Sequence, residues 1–166
     1  MMILKNKKAF TLIETIIYVL LFSIIMTSVV NFGILISFLN SKNLLLREAN
    51  ANARNVLNFI STEIANARSI SSPLVGNSSS TIIYLSQDNN LRKISLEDGG
   101  LYLISDNTRF NISRSNILFS NLLFLNLGDN NLSDSIQFSF NYSSLSTTTR
   151  EFFYENILRS AVTRRF

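Results

Sequence analysis

The sequence predicts an α+β fold: a long N-terminal helix whose second half packs on an antiparallel β-sheet. Three observations predict it. Between Lys8 and Lys42 the only charged residue is Glu14, so the chain begins with one long apolar run. From Leu44 to Ser69 there is neither Gly nor Pro, and apolar residues recur at spacings of three and four, the period of a helix with one buried face. After Pro73 the pattern changes to short alternating segments separated by turn residues, as in an antiparallel meander. Helix first and strands afterwards gives segregated layers rather than a βαβ alternation.

The composition narrows the classes further. The chain has 166 residues, 46% hydrophobic and 16% charged, which suits one folded domain and excludes a disordered chain. It has no Cys, so there is no disulfide framework, thiolate metal site or lipid-modified cysteine anchor. It has no His, which removes the commonest general base and metal ligand. The net charge of +4 is spread along the chain apart from a cluster at each end.

The apolar run from Phe10 to Leu39 would be about 45 Å long as a helix, at about 1.5 Å per residue. A bilayer core needs about 20 residues, so residues 10–39 are long enough to span one. A cleavable secretory signal has a shorter apolar core and a small-residue exit site, and neither is found here. Before the run stands a basic leader with Lys5, Lys7 and Lys8. One turn into the run stands Glu14, among Phe10, Thr11, Leu12, Ile13, Thr15, Ile16 and Ile17. A charged side chain inside a membrane helix is costly and functional by default. A carboxylate in a first helical turn is also favoured by the macrodipole, and that plainer reading stands beside the functional one.

Residues 40–70 read as the continuation of the helix. Leu46, Ala49, Ala53, Val56, Ile60, Ile64 and Ala67 form the apolar stripe, with Arg47, Asn50, Arg54, Asn58, Ser61 and Arg68 opposite. The helix is expected to end within Ser69 to Pro73, because proline biases the preceding residue away from helix. Asn31 and Gly33 mark a place where it could loosen.

Residues 71–166 read as the β domain. Thr81 to Leu85 and Leu91 to Leu96 flank a turn at Gln87 to Asn90, and Glu97-Asp98-Gly99-Gly100 makes a second turn into Leu101 to Ile104. Further strands are expected at Arg109 to Ser113, Asn121 to Leu127, Ser135 to Tyr142 and Glu151 to Arg159. Ser135 to Tyr142 alternates most regularly, with Ile136, Phe138, Phe140 and Tyr142 on one face.

The junction Lys7-Lys8-Ala9-Phe10-Thr11-Leu12-Ile13-Glu14, followed by the apolar run, resembles the processing site of type IV prepilins and pseudopilins. The resemblance implies a pilin-like fold, with residues 1–9 as a leader peptide. It implies cleavage between Ala9 and Phe10 by a prepilin peptidase on the cytoplasmic side, and N-methylation of Phe10. Ala9 stands where Gly is usual. The resemblance also implies that Glu14 acts in filament assembly, by meeting the new Phe10 amine of an adjacent subunit. Phe10 and Glu14 are also i and i+4 on one helix, so an intramolecular pair is the competing reading.

The partners implied are the peptidase, other pilin or pseudopilin subunits, an inner-membrane assembly platform and the lipid bilayer. The implied location is a single-pass inner-membrane protein, N-terminus cytoplasmic and C-terminal domain outside, and then a periplasmic or extracellular filament. Lysines on the leader are nearly balanced by Lys42, Arg47 and Arg54 on the far flank, so charge alone leaves the orientation open.

No enzyme activity and no cofactor are expected. Asp129 to Asp134 has oxygen ligands suited to calcium, although a polar loop is the simpler reading and no metal is assigned. The four sequons, at Asn77, Asn111, Asn131 and Asn141, are no more than a chain so rich in Asn and Ser supplies by chance. Arg159, Arg164 and Arg165 form a basic end of the sign that meets nucleic acid or phospholipid, with a solvated terminus as the plainer reading. Absence of a Cys pair, absence of Pro in the anchor helix, and Thr147 to Arg150 leading into a last strand lean toward a minor pilin or pseudopilin of a pilus, secretion pseudopilus or DNA-uptake filament. The alternative is a membrane-anchored adhesin or receptor domain with no filament role.

Overall fold

The computed structural model describes residues 11–106, 108–114, 117–128, 135–144 and 154–164. Helix α1 runs over Leu12–Ala65, and nine strands follow it. The chain divides into two compact units, one ending at Asn43 and one from Leu44 to Phe166.

The first unit is helical from Leu12, with its large apolar residues exposed. Several of its hydroxyls bond back to the helix itself. Ser23, Thr27 and Ser28 donate to the carbonyls of Val19, Ser23 and Ile24 at 2.8, 2.8 and 3.0 Å. Such back-bonding lets Ser and Thr sit on an apolar surface with no polar group left open. The helix passes through Asn31 and Gly33 without interruption, so the loosening expected there is not found.

In the second unit the stripe packs as its spacing predicts. Ala49, Ala53, Val56, Ile60 and Ile64 are buried. They share one core with Ile82, Tyr84 and Ile94 from one sheet and Phe119, Phe124, Phe138 and Phe140 from another. Two sheets, rather than the single one expected, lie against the helix. The first has the order β1-β3-β4-β5-β6 and the second β2-β7-β8-β9. In the first, β1 is Ser69–Ser72, β3 Ile82–Leu85, β4 Leu91–Glu97, β5 Gly100–Ser105 and β6 Thr108–Asn111. In the second, β2 is Ser78–Ser79, β7 Ile117–Asn126, β8 Ser135–Ser144 and β9 Glu155–Thr163. All pairings are antiparallel.

Apart from β2, which pairs with β7, the break between sheets falls where β6 gives way to β7. A backbone bond from Phe119 N–H to the Gly99 carbonyl, at 2.8 Å, ties the second sheet to the turn between β4 and β5. That turn has Asp98 and Gly99 at φ 50° and 74°, the positive pair that a two-residue hairpin turn requires. A Cβ on Gly99 would also lie 2.6 Å from Leu118 Cδ2.

Several strand boundaries differ from the expectation. Ser69–Ser72 is not the end of the helix but strand β1, paired with β3. The helix stops at Ala65, and Ala67 is buried just beyond it. Strand β7 starts at Ile117 rather than Asn121, and it carries a bulge between Ser120 and Leu123 with Asn121 at φ 52°. An extra residue shifts which positions face inward. Ile117 and Phe119 are buried before the bulge, and Leu122, Phe124 and Asn126 after it. Strand β9 extends to Thr163. Asp129 to Asp134, Thr147 to Arg150 and Glu151 to Phe153 lie outside the described residues.

Candidate functional site

The candidate site is the N-terminal turn of α1 and the apolar helix behind it. Thr11 stands at the N-cap position. Its carbonyl accepts from the Glu14 and Thr15 amides at 3.1 and 3.2 Å, and its Oγ1 lies 3.4 Å from the Glu14 nitrogen. Thr-x-x-Glu is the spacing of a capping box, in which the first hydroxyl satisfies an orphan amide. The Thr15 hydroxyl donates to the carbonyls of Thr11 and Leu12 at 3.1 and 3.0 Å.

Glu14 is thus in the first turn of the helix and exposed. Among the described residues it has no ion-pair partner. The hydroxyls near it are bonded to their own helix, so its carboxylate is the one charged group between Lys8 and Lys42. Lys5, Lys7, Lys8, Ala9 and Phe10 lie outside the described residues.

The remainder of this unit is one helix long and apolar enough to cross a membrane, the only such helix among the described residues, and its most apolar window is not buried. Leu12, Ile25 and Phe32 are 82%, 60% and 64% exposed. A helix apolar all round and buried nowhere in its own chain is solvated by lipid or by other helices.

Of the basic end expected from Arg159, Arg164 and Arg165, two members are among the described residues. Arg159 is exposed on β9. The Arg164 guanidinium donates to the Arg68 carbonyl, and Arg165 lies outside the described residues.

Sequence reasoning missed the polar clasps that fasten the second unit's helix to both sheets. Glu63 Oε2 accepts from the Tyr84 hydroxyl at 2.5 Å and from Arg92 Nη1 at 2.9 Å. Burial first, and then the bond to Glu63, pushes the Tyr84 phenol far above its ordinary value. The same carboxylate raises Arg92. At the other sheet the Tyr142 hydroxyl donates to Asn50 Oδ1 at 2.5 Å. The spacing puts Asn50 on the polar face of the helix, and the partners of Asn50 and Glu63 are far away in sequence.

A family model described as the prokaryotic N-terminal methylation motif matches residues 4–30. With a long helix whose second half packs against antiparallel sheets, the match supports a type IV pilin-like chain with a prepilin-type N-terminal segment. The match is to the N-terminal segment of type IV pilin-like proteins, and motif and fold point to a structural subunit. Comparison with curated proteins and with solved structures finds no match. The exposed apolar helix fits a membrane-anchored pilin.

Proposed function

We propose that the chain is a minor pilin or pseudopilin, cleaved between Ala9 and Phe10, N-methylated at Phe10, and built into a type IV-like filament. The single observation that carries this reading is the methylation-motif match over residues 4–30, which runs directly into the unburied apolar helix. In this reading the leader, with Lys5, Lys7 and Lys8, lies at the cytoplasmic face, where the peptidase acts. Cleavage exposes a cationic amine at Phe10.

In a bundle of parallel helices that amine meets the Glu14 carboxylate of a neighbouring subunit. Low dielectric makes an unpaired carboxylate costly and a paired one tolerable, so pairing favours docking and fixes axial register. The plain helix surface around Glu14 supports this reading, since no other charged group between Lys8 and Lys42 competes for the amine. The second unit, from Leu44 onward, is carried outside the membrane.

Intact-mass analysis of protein extracted from membranes tests the processing step. The expected species begins with methylated Phe10. Mature protein that retains Met1 or Met2 would overturn the reading.

A further inference from the structure

The outer face of the β7–β8–β9 sheet contains a site that the filament reading does not use. In register across the three strands, Leu123, Ser139 and Arg159 form one row, and Leu125, Gln137 and Ala161 the next. Leucines therefore stand on one side and a guanidinium on the other, about 10 Å apart at two strand spacings. Ser139 and Gln137 of β8 lie between them, and the small Ala161 follows Arg159 along β9. The surface dips there into a half-open depression of about 260 Å³ lined by Leu123, Leu125, Gln137, Phe138, Ser139 and Arg159.

The two charged residues of β9, Arg159 and Glu155, do not pair with each other. Arg159 has no ion-pair partner among the described residues. The other charged residue of β9, Glu155, accepts from Asn141 Nδ2 at 3.3 Å. A guanidinium is a planar donor matched to a carboxylate, and here it faces an apolar wall across the depression. One isolated cation does not suit a polyanion, whose binding rests on several phosphate contacts.

We propose that this depression binds a small apolar monocarboxylate. Its carboxylate would pair with Arg159, its body would lie over Ser139 against Leu123 and Leu125, and the Gln137 amide would be at hand as a further donor. The volume is below the roughly 300–1,000 Å³ of pockets that hold drug-sized ligands. It therefore suits a single aryl or branched alkyl group with its carboxylate.

The test uses the full chain in nonionic detergent with leucine methyl groups isotopically labelled for NMR. The probes are 3-phenylpropanoate and, as the uncharged match, 3-phenylpropanamide. The expected result is a saturable shift of the Leu123 and Leu125 methyls by the propanoate, with a midpoint of about 1 mM. The midpoint should be weaker by about tenfold or more for the amide, and equally for the propanoate with Arg159→Gln. Arg159→Lys, which keeps the charge and loses the fork, should fall between. Equal midpoints for acid and amide, no change with Arg159→Gln, or no saturable shift at these methyls would each overturn the proposal.

Discussion

Two stretches of the same helix, residues 12–43 and residues 49–64, are both rich in Ile, Val and Leu or Ala, yet they meet opposite fates. In the first, nearly every side chain is exposed, Ile25 at 60%. In the second, the residues at spacings of three and four are buried to the limit, Ile60 and Ile64 at 0%. Arrangement, not apolar content, separates them. Where apolar residues cover the whole circumference, no one sheet can hide them, and the environment must supply the burial. Where they form one stripe against polar positions, the chain's own sheets suffice. The first stretch is therefore committed to outside partners and the second to the fold.

That comparison makes its largest prediction for a paired substitution. Ile60→Ala should lower the stability of the packed unit by about 2–5 kcal/mol, since it opens a cavity in a filled core. Ile25→Ala should change it by less than about 0.5 kcal/mol. Denaturant midpoints of the strand circular-dichroism signal, in detergent, measure both. Similar losses for the two would erase the distinction.

A smaller effect is expected at the clasp. Glu63→Ala removes the acceptor of the Tyr84 hydroxyl and leaves Arg92 only its longer contact with Asp88, at a cost of about 1.5–3 kcal/mol for bonds to a charged group. The more exposed pair of Glu97 and Arg109, 2.9 Å apart, supplies the control. Glu97→Ala should cost less than about 1 kcal/mol. Equal midpoints for the two variants would mean that the clasp contributes no more than a surface pair.

Alkaline pH should loosen the packed unit but not the exposed helix. Burial, and then bonding to Tyr154, pushes Tyr142 up to about 12 from 10.0. Tyr84 moves the same way. The fold thus holds these phenols protonated at pH values where the unfolded chain has begun to lose the proton. Their contribution is full below about pH 10, the unfolded value, and is lost as pH rises through the folded values. Urea midpoints should fall as the pH is raised beyond about 10, and Tyr142→Phe should flatten part of the fall. A midpoint that rises over this range would contradict the assignment.

The smallest effect concerns a polar residue within the buried stripe. Asn52 is 5% exposed, and its Nδ2 has no hydrogen-bond partner among the described residues. Asn52→Ala removes that unsatisfied donor and raises helix propensity. A gain of up to about 1 kcal/mol is expected from thermal unfolding. A clear loss would show that the amide is satisfied in solution.

The legible parts of the sequence were those whose cause is local. The stripe, the turn at Asp98 and Gly99, and the alternation of β8 each follow from residues within a few positions of one another. Glu14 was legible because a lone charge in an apolar run needs no structure to be conspicuous. Strand β1 was not, because Ser69–Ser72 carries little apolar signal and follows a helix directly. The start of β7 was hidden by its bulge, which moves the inward face from Ile117 and Phe119 to Leu122 and Phe124. The division into two sheets was also hidden, since turn composition marks where strands end and not which become neighbours. The clasp joins Glu63 to residues 21 and 29 positions away, and only the packed fold brings them together. The depression at Arg159 depends on cross-strand register in the same way.

The most direct test of the account addresses the carboxylate in the exposed helix. With Glu14→Val, membrane insertion should persist or improve because a charge is removed from the apolar run, and cleavage at Ala9–Phe10 should continue. The measurement is recovery of the variant in sheared filaments, against the unsubstituted chain at equal membrane abundance. The account predicts normal processing and a sharp fall in recovery, because the Phe10 amine of a neighbour loses its partner in low dielectric. Equal recovery would show that Glu14 serves only its own helix terminus, and docking through that carboxylate would be contradicted.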